Sequence, residues 1–298
     1  LKSKGFHATG IAGTIGAAVS IAVASRFTKN QLKNAVSAAS TSASGILRVI
    51  KNISELKPYN VGNAAQSGYT AAMLAYAGFE GPYDVFDGEL GFLKMMSDNT
   101  RKEYLTISEK DEFSIMSIYR KPYAACRHNH APIEAALNLK RKHDIKTDEI
   151  QSVEIKTYDL AVSGHEHTDI VGINSAKMSI PYSVAVALIN NSAGINEFDN
   201  AHIQNEQIIK LTKNVKTISD EELSKLVPTQ RPAIATITMT DGSKFIERVD
   251  YPKGEPENPI NKEELVEKFY SLSLYAGKTA KECEEIKGII FDNESDIT

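Results

Sequence analysis

Residues Ala8 to Ser25 read ATGIAGTIGAAVSIAVAS, an unbroken uncharged run, and whether it spans a membrane or lies buried in a folded domain decides what kind of protein this is. Length alone permits a span, because about 17–25 apolar residues cross a bilayer. Composition argues the other way. Ile11, Ile15, Val19, Ile21 and Val23 are its large aliphatics, the rest being small or hydroxylated, and no basic segment with a signal-type cleavage site accompanies them. Ile11, Ile15 and Val19 recur at i, i+4 and i+8, with Gly and Ala between them that let a neighbouring backbone come close. The run therefore reads as a buried helix of a soluble protein with no membrane partner, and a cytoplasmic setting is expected.

Helical periodicity continues to about residue 112. Further helices are predicted over Gln31 to Ile50, over Asn60 to Ala77 and over Leu90 to Asp98. Ala64, Gly68 and Ala72 form a small-residue stripe on the second of these, and Gly78-Phe79-Glu80-Gly81-Pro82 stops it. From 113 the pattern turns mixed. Phe113 to Tyr119 is rich in β-formers, and Val153 and Ile155 alternate with Glu154 and Lys156 as a half-buried strand should. Ala233 to Thr240 and Lys244 to Val249 flank Asp241-Gly242, which predicts a hairpin with a type I′ turn. Helices are predicted over Ile133 to His143, Ile180 to Asn190 and Asn205 to Thr212. Tyr251 to Pro259 (YPKGEPENP) reads as an extended linker. Beyond it Asn261 and Glu264 open a last helical segment with a capping box. The fold class expected is mainly α with an inserted α+β domain: a large helical domain from 1–112 and 251–298, interrupted by a smaller α+β lid at 113–250.

Composition narrows the function. The 298 residues carry 34 Lys and Arg against 38 Asp and Glu, a formal net charge of -4, which argues against nucleic acid as a partner. Two cysteines, Cys126 and Cys283, exclude a disulfide scaffold and a Cys-only zinc or iron–sulfur site. The dinucleotide, P-loop, G-x-S-x-G and HExxH signatures do not occur.

Chemistry-bearing residues gather at Lys121 to His130 (KPYAACRHNH), which holds Lys121, Arg127, His128 and His130. No Asp, Glu or Cys nearby completes a first shell around the two histidines, so no metal is expected there. Cations at such a junction suit a carboxylate, onto which Arg forks and Lys places a point charge. The bland alternative is a solvated basic loop. His7 precedes the Gly and Ala helix, Lys57 precedes the next long one, and Tyr182 follows Pro181 at the start of an apolar helix; each has an ordinary structural reading as cap, surface lysine or buried ring. Gly164-His165-Glu166-His167 reads as loop.

Taken in order, these stretches resemble the MmgE/PrpD family: Gly5-Phe6-His7-Ala8-Thr9; Leu56-Lys57-Pro58 with Gly62-Asn63-Ala64-Ala65 and Gly68; Gly78 to Pro82 with Gly91-Phe92; Lys121-Pro122-Tyr123 through Cys126-Arg127-His128-Asn129-His130; Ser179-Ile180-Pro181-Tyr182; and Gly254 to Pro259. The resemblance implies a helical domain with an inserted lid and a cofactor-free site between the domains. It also implies a lyase or isomerase of 2-methylcitrate dehydratase type, acting as dehydratase, decarboxylase or epimerase on a small di- or tricarboxylate. His7, Lys57, Lys121 and Tyr182 match site-lining positions, and Arg127, His128 and His130 match the motif after the lid's first lysine. His7 or Tyr182 is the expected proton-transfer group, with Lys57, Lys121 and Arg127 holding carboxylates. A homodimer is expected. Family chains begin well before the residue matching Leu1, so an N-terminal portion is expected to be lacking. A truncated or inactive member serving as a dimerising or binding module is the alternative.

Overall fold

The computed structural model describes residues 1, 4–50, 56–100 and 113–292. The chain divides into two compact units, Leu1–Asp111 and Glu112–Thr298.

The first unit is helical. Its elements are α1 (Ala8–Ala24), α2 (Lys29–Ser42), α3 (Leu56–Tyr76) and the short α4 (Phe92–Met96). The uncharged run is thus a helix, as its pattern predicts. Among the described residues no helix is long and apolar enough to cross a membrane. Thr28 opens α2 with a reciprocal capping box to Gln31. The helix ends at Ser42, short of the expected Ile50, and the sequence shows why. Ser40, Thr41 and Ser42 donate their hydroxyls back to the carbonyls of Val36 and Ala38, and Gly45 then takes a φ of +147°. A 3₁₀ turn over Leu47–Ile50 follows.

Alanines pack this unit in layers. Ala18, Ala39 and Ala71 meet in one layer and Ala22, Ala35 and Ala75 in the next, all of them buried. Small side chains bring the helices close, and Gly68 marks the tightest crossing. A Cβ there would lie 2.5 Å from the Ala17 Cβ and 2.5 Å from the Thr14 carbonyl oxygen.

The second unit is built on a sheet. Strands β1 (Ile150–Thr157), β2 (Val215–Ser219), β3 (Ala233–Met239) and β4 (Lys244–Val249) lie in the order β2-β1-β3-β4. β1 runs parallel to β2 and antiparallel to β3, and β3 runs antiparallel to β4. Helix α5 (His130–His143) packs on β3 and β4, and helix Ile180–Asn190 packs on α5 and β2. Ile133, Leu139, Ile155, Ile180, Leu188 and Ile237 fill the core between these layers, all fully buried. Helices Lys262–Tyr275 and Ala280–Lys287 close the chain, the first carrying the expected capping box from Asn261 to Glu264.

Three local expectations fail here. Phe113 to Tyr119 is not a strand: Ser114–Ser117 is a 3₁₀ turn with Ile115 and Met116 exposed, because β-forming residues need a ladder partner and this segment has none among the described residues. The hairpin turn is not type I′. Its loop runs from Thr240 to Ser243, the Gly242 N–H donates to the Met239 carbonyl, and Gly242 alone takes a positive φ, which is the longer bulged form. β2 was not anticipated, since its five residues, VKTIS, are too few to display alternation.

The Gly68 crossing makes a paired prediction for urea unfolding. Gly68→Ala loses about 1–3 kcal/mol through overpacking. Gly62→Ala on the same helix, where a Cβ meets nothing within 4 Å, gains about 0.5–1 kcal/mol from helix propensity.

Candidate active site

In the second unit the segment Tyr119 to His130 is held by the proline-rich run that follows β4. That run is not an extended linker as its composition suggests. Pro252 and Gly254 are buried, and the Arg120 N–H donates to the Gly254 carbonyl at 2.7 Å. Gly254 sits at φ +94°, where a Cβ would collide with the Arg120 carbonyl oxygen. The Lys253 N–H and the Asn258 amide both donate to the Glu134 carboxylate on α5, whose pKa burial raises. Glu255 then completes the fastening. Its carboxylate pairs with the buried Arg127 guanidinium, and Arg231 stands 3.9 Å from the same oxygen. The Tyr119 ring covers Arg127, with its centroid 4.9 Å from the guanidinium carbon. The carboxylate that Arg127 holds in this structure is therefore the chain's own.

The three residues after Arg127 point into different surroundings. The Nδ1 of His128 lies 2.6 Å from the Tyr158 hydroxyl at the end of β1, and its ring meets that of His165 edge-on at 5.0 Å. Asn129 is fully buried and donates its amide to the Ser183 hydroxyl at 2.8 Å and the Ser179 carbonyl at 3.1 Å, which ties the start of α5 to helix Ile180–Asn190. His130, the first residue of α5, is buried edge-on against the Tyr123 ring, and its Nε2 has no hydrogen-bond partner among the described residues. Burial, helped by the charges of Arg127 and Lys121, pushes its pKa down to about 3, so the ring is neutral at physiological pH.

Lys121 and Tyr182 occupy unlike places. Lys121 donates from Nζ to the Ala125 carbonyl at 3.3 Å and lines a cavity of about 740 Å³. Lys268 lines the same cavity; burial lowers its pKa, and it donates to the Lys121 carbonyl. Tyr182 is buried beside Phe198 and donates its hydroxyl to the Glu197 carbonyl at 3.0 Å, while burial pushes the phenol pKa up. Its backbone N–H is received by Ser179, which caps the helix.

In the first unit His7 stands at the N-cap position of α1, nine-tenths buried, and its Nδ1 lies 3.0 Å from the Asn60 amide nitrogen on α3. An amide NH₂ only donates, so Nδ1 accepts and the neutral ring carries its proton on Nε2. Lys57 lies in the first turn of α3, one helical turn before Asn60. Sequence spacing therefore brings Lys57 to the same end of α3 as the partner of His7. Asn60, Asn129, Tyr158 and His165 were missed in the sequence; for Asn129 a signal existed, an amide at a helix start inside an otherwise cationic motif. Among the described residues no group of three or more His, Cys, Asp or Glu side chains is placed to hold a metal ion.

The chain is thus an alanine-layered helical unit and a mixed α/β unit, with cations and imidazoles placed at helix starts. Residues 1–105 match the MmgE/PrpD N-terminal domain and residues 123–290 the MmgE/PrpD C-terminal domain, and the chain belongs to this family. It is similar to the cis-aconitate decarboxylase of Aspergillus terreus (strain NIH 2624 / FGSC A1156), 25% identical over 318 residues, covering 100% of this chain and 64% of that protein. The cis-aconitate decarboxylases of Mus musculus (26% identical) and Homo sapiens (25%) match over 89% of this chain and 55% and 56% of theirs. The chain thus spans less than two thirds of the length of these curated relatives.

The neutral, buried His130 sets a pH dependence. Its folded pKa, about 3, lies below the ordinary imidazole value of 6.5, so between those values the unfolded chain binds the extra proton. Stability is full above pH 6.5 and falls as pH drops toward 3. Relative to His130→Leu, the wild type should lose about 1.4 kcal/mol of unfolding free energy per pH unit between pH 6 and 4. Parallel urea melts at several pH values measure that difference, and a constant difference would refute the assignment.

Proposed function

We propose that this chain is the catalytic part of a metal- and cofactor-independent lyase that removes a carboxylate as CO₂ from a small unsaturated tricarboxylate. The cis-aconitate decarboxylase activity of its relatives supports this reading, and a dehydratase on a hydroxylated tricarboxylate is the nearest alternative. One observation carries the chemistry: the Asn60 amide sets the His7 tautomer so that Nε2 bears the proton, with Lys57 at the same end of α3. In the decarboxylation the bond to the leaving carboxylate breaks and its electron pair stays on carbon, conjugated with the neighbouring double bond and carboxylate. That carbon then needs a proton, which His7 supplies. Lys57 and Lys121 hold the remaining carboxylates and stabilise the charge that develops.

Of the two expected proton donors His7 is favoured, because the Tyr182 hydroxyl is committed to the Glu197 carbonyl. We assign Tyr182 and His130 to shaping the site and His128 to substrate binding. Arg127, which holds Glu255, is assigned to fixing the segment that carries Lys121. A homodimer belongs to the same proposal, with the exposed Tyr59, Tyr69 and Tyr76 on α3 as candidate contacts.

Incubation of the full-length protein with cis-aconitate, 2-methylcitrate and iminodisuccinate in parallel tests this reading. The expected result is CO₂ release from cis-aconitate, unaffected by EDTA and lowered at least about a hundredfold by His7→Ala. No turnover of any of the three would overturn it, and water loss from 2-methylcitrate alone would transfer the same residues to a dehydratase.

A further inference from the structure

His165 is fixed and unsatisfied at once. Its backbone N–H donates to the Val162 carbonyl at 3.0 Å, and its carbonyl receives the Ile180 N–H at 2.8 Å, so the loop that carries it is pinned to the start of helix Ile180–Asn190. Gly164 makes the turn into it at φ +86°, with its N–H held by the Glu166 carboxylate at 2.8 Å. His167 fastens the other side, its carbonyl accepting from the Ser179 hydroxyl at 2.6 Å. The imidazole itself is 5% exposed, and neither Nδ1 nor Nε2 has a hydrogen-bond partner among the described residues. A buried polar ring held this firmly, yet left without partners, is costly unless something else supplies them.

Its neighbours say what that something is. The His165 ring lies edge-on to His128 at 5.0 Å, and His128 is itself anchored through Nδ1 to the Tyr158 hydroxyl. Arg127 and Arg231 both act electrostatically on Tyr158, with the single Glu255 carboxylate between them, so two guanidiniums stand against one carboxylate and the surroundings stay cationic. Two imidazoles in a cationic setting offer N–H donors to an anion of carboxylate geometry, and they discriminate by hydrogen bonding rather than by net charge.

We propose that His165 is a substrate-contacting residue that donates a ring N–H to one carboxylate of the small polycarboxylate, and that Tyr158 is a positioning residue that fixes His128 beside it. The inference rests on the function proposed above and adds to it a specificity group absent from the motif after Lys121.

Three variants of the full-length protein test it, with citrate as the probe in calorimetry and cis-aconitate as the substrate. His165→Leu fills similar space without donors. It should weaken citrate binding by about ten- to a hundredfold, raise KM more than it lowers kcat, and raise the Tm of the unliganded protein, because an unsatisfied group has gone. His165→Gln, which keeps a donor, should retain most of the affinity. Tyr158→Phe should weaken citrate binding several-fold with the ring's packing kept. A His165→Leu variant that binds citrate as the wild type does, with a lowered Tm, would make His165 a core residue and overturn the inference while the wild-type turnover stands. A wild type that neither binds citrate nor turns over cis-aconitate would overturn the underlying function as well.

Discussion

The pairing of Arg127 with Glu255 is the contact on which the second unit's chemistry depends. Both groups are largely withdrawn from water, and such a pair adds little net stability over an apolar equivalent, because desolvation offsets most of the attraction. What it supplies is register. Glu255 lies in the run after β4 and Arg127 lies just before α5, so the pair fixes where the segment from Tyr119 to His130 runs. The Arg120 bond to Gly254 and the Lys253 and Asn258 bonds to Glu134 then follow from the same alignment. A glycine is required at 254 because the Arg120 carbonyl occupies the space of a side chain. Lys121, His128, Asn129 and His130 are therefore placed by a strap far from them in sequence.

Electrostatics in this region separate charge from hydrogen bonding. His130 is kept neutral by burial and by the cations around it, and Arg127 has its charge balanced by Glu255. On the function proposed, positive charge for an incoming carboxylate then comes mainly from the half-buried lysines. The imidazoles give directional N–H groups instead. That division suits the proposed reaction, in which several carboxylates are held while one bond to carbon breaks.

Much of the fold was legible in the sequence, and the reasons are local. The helix Ala8–Ala24, the stripe through Gly68, helix Ile180–Asn190 and the Asn261 capping box each carry a signal within one or two turns. Where the sequence misled, the deciding partner lay elsewhere. Phe113 to Tyr119 has strand-forming residues but no neighbouring strand among the described residues, and Tyr251 to Pro259 has a linker's composition but is held down by Glu134, Arg120 and Arg127. The same holds for the site. The cations of KPYAACRHNH were visible as a cluster, whereas Tyr158, His165 and Asn60 reach the histidines across 30, 37 and 53 positions of sequence.

Each unit also orients a histidine through a neutral neighbour. Asn60 binds His7 through Nδ1, and Tyr158 meets His128 through Nδ1. A carboxylate in either place would raise the imidazole pKa and stabilise the imidazolium, which favours permanent charge over proton delivery. An amide or a phenol instead fixes the ring by one directional hydrogen bond. For the proton transfer proposed for His7, orientation is the useful contribution, because Nε2 must face the carbon that receives the proton. Asn60 and Tyr158 as partners thus match the two roles proposed, proton transfer for His7 and carboxylate binding for His128.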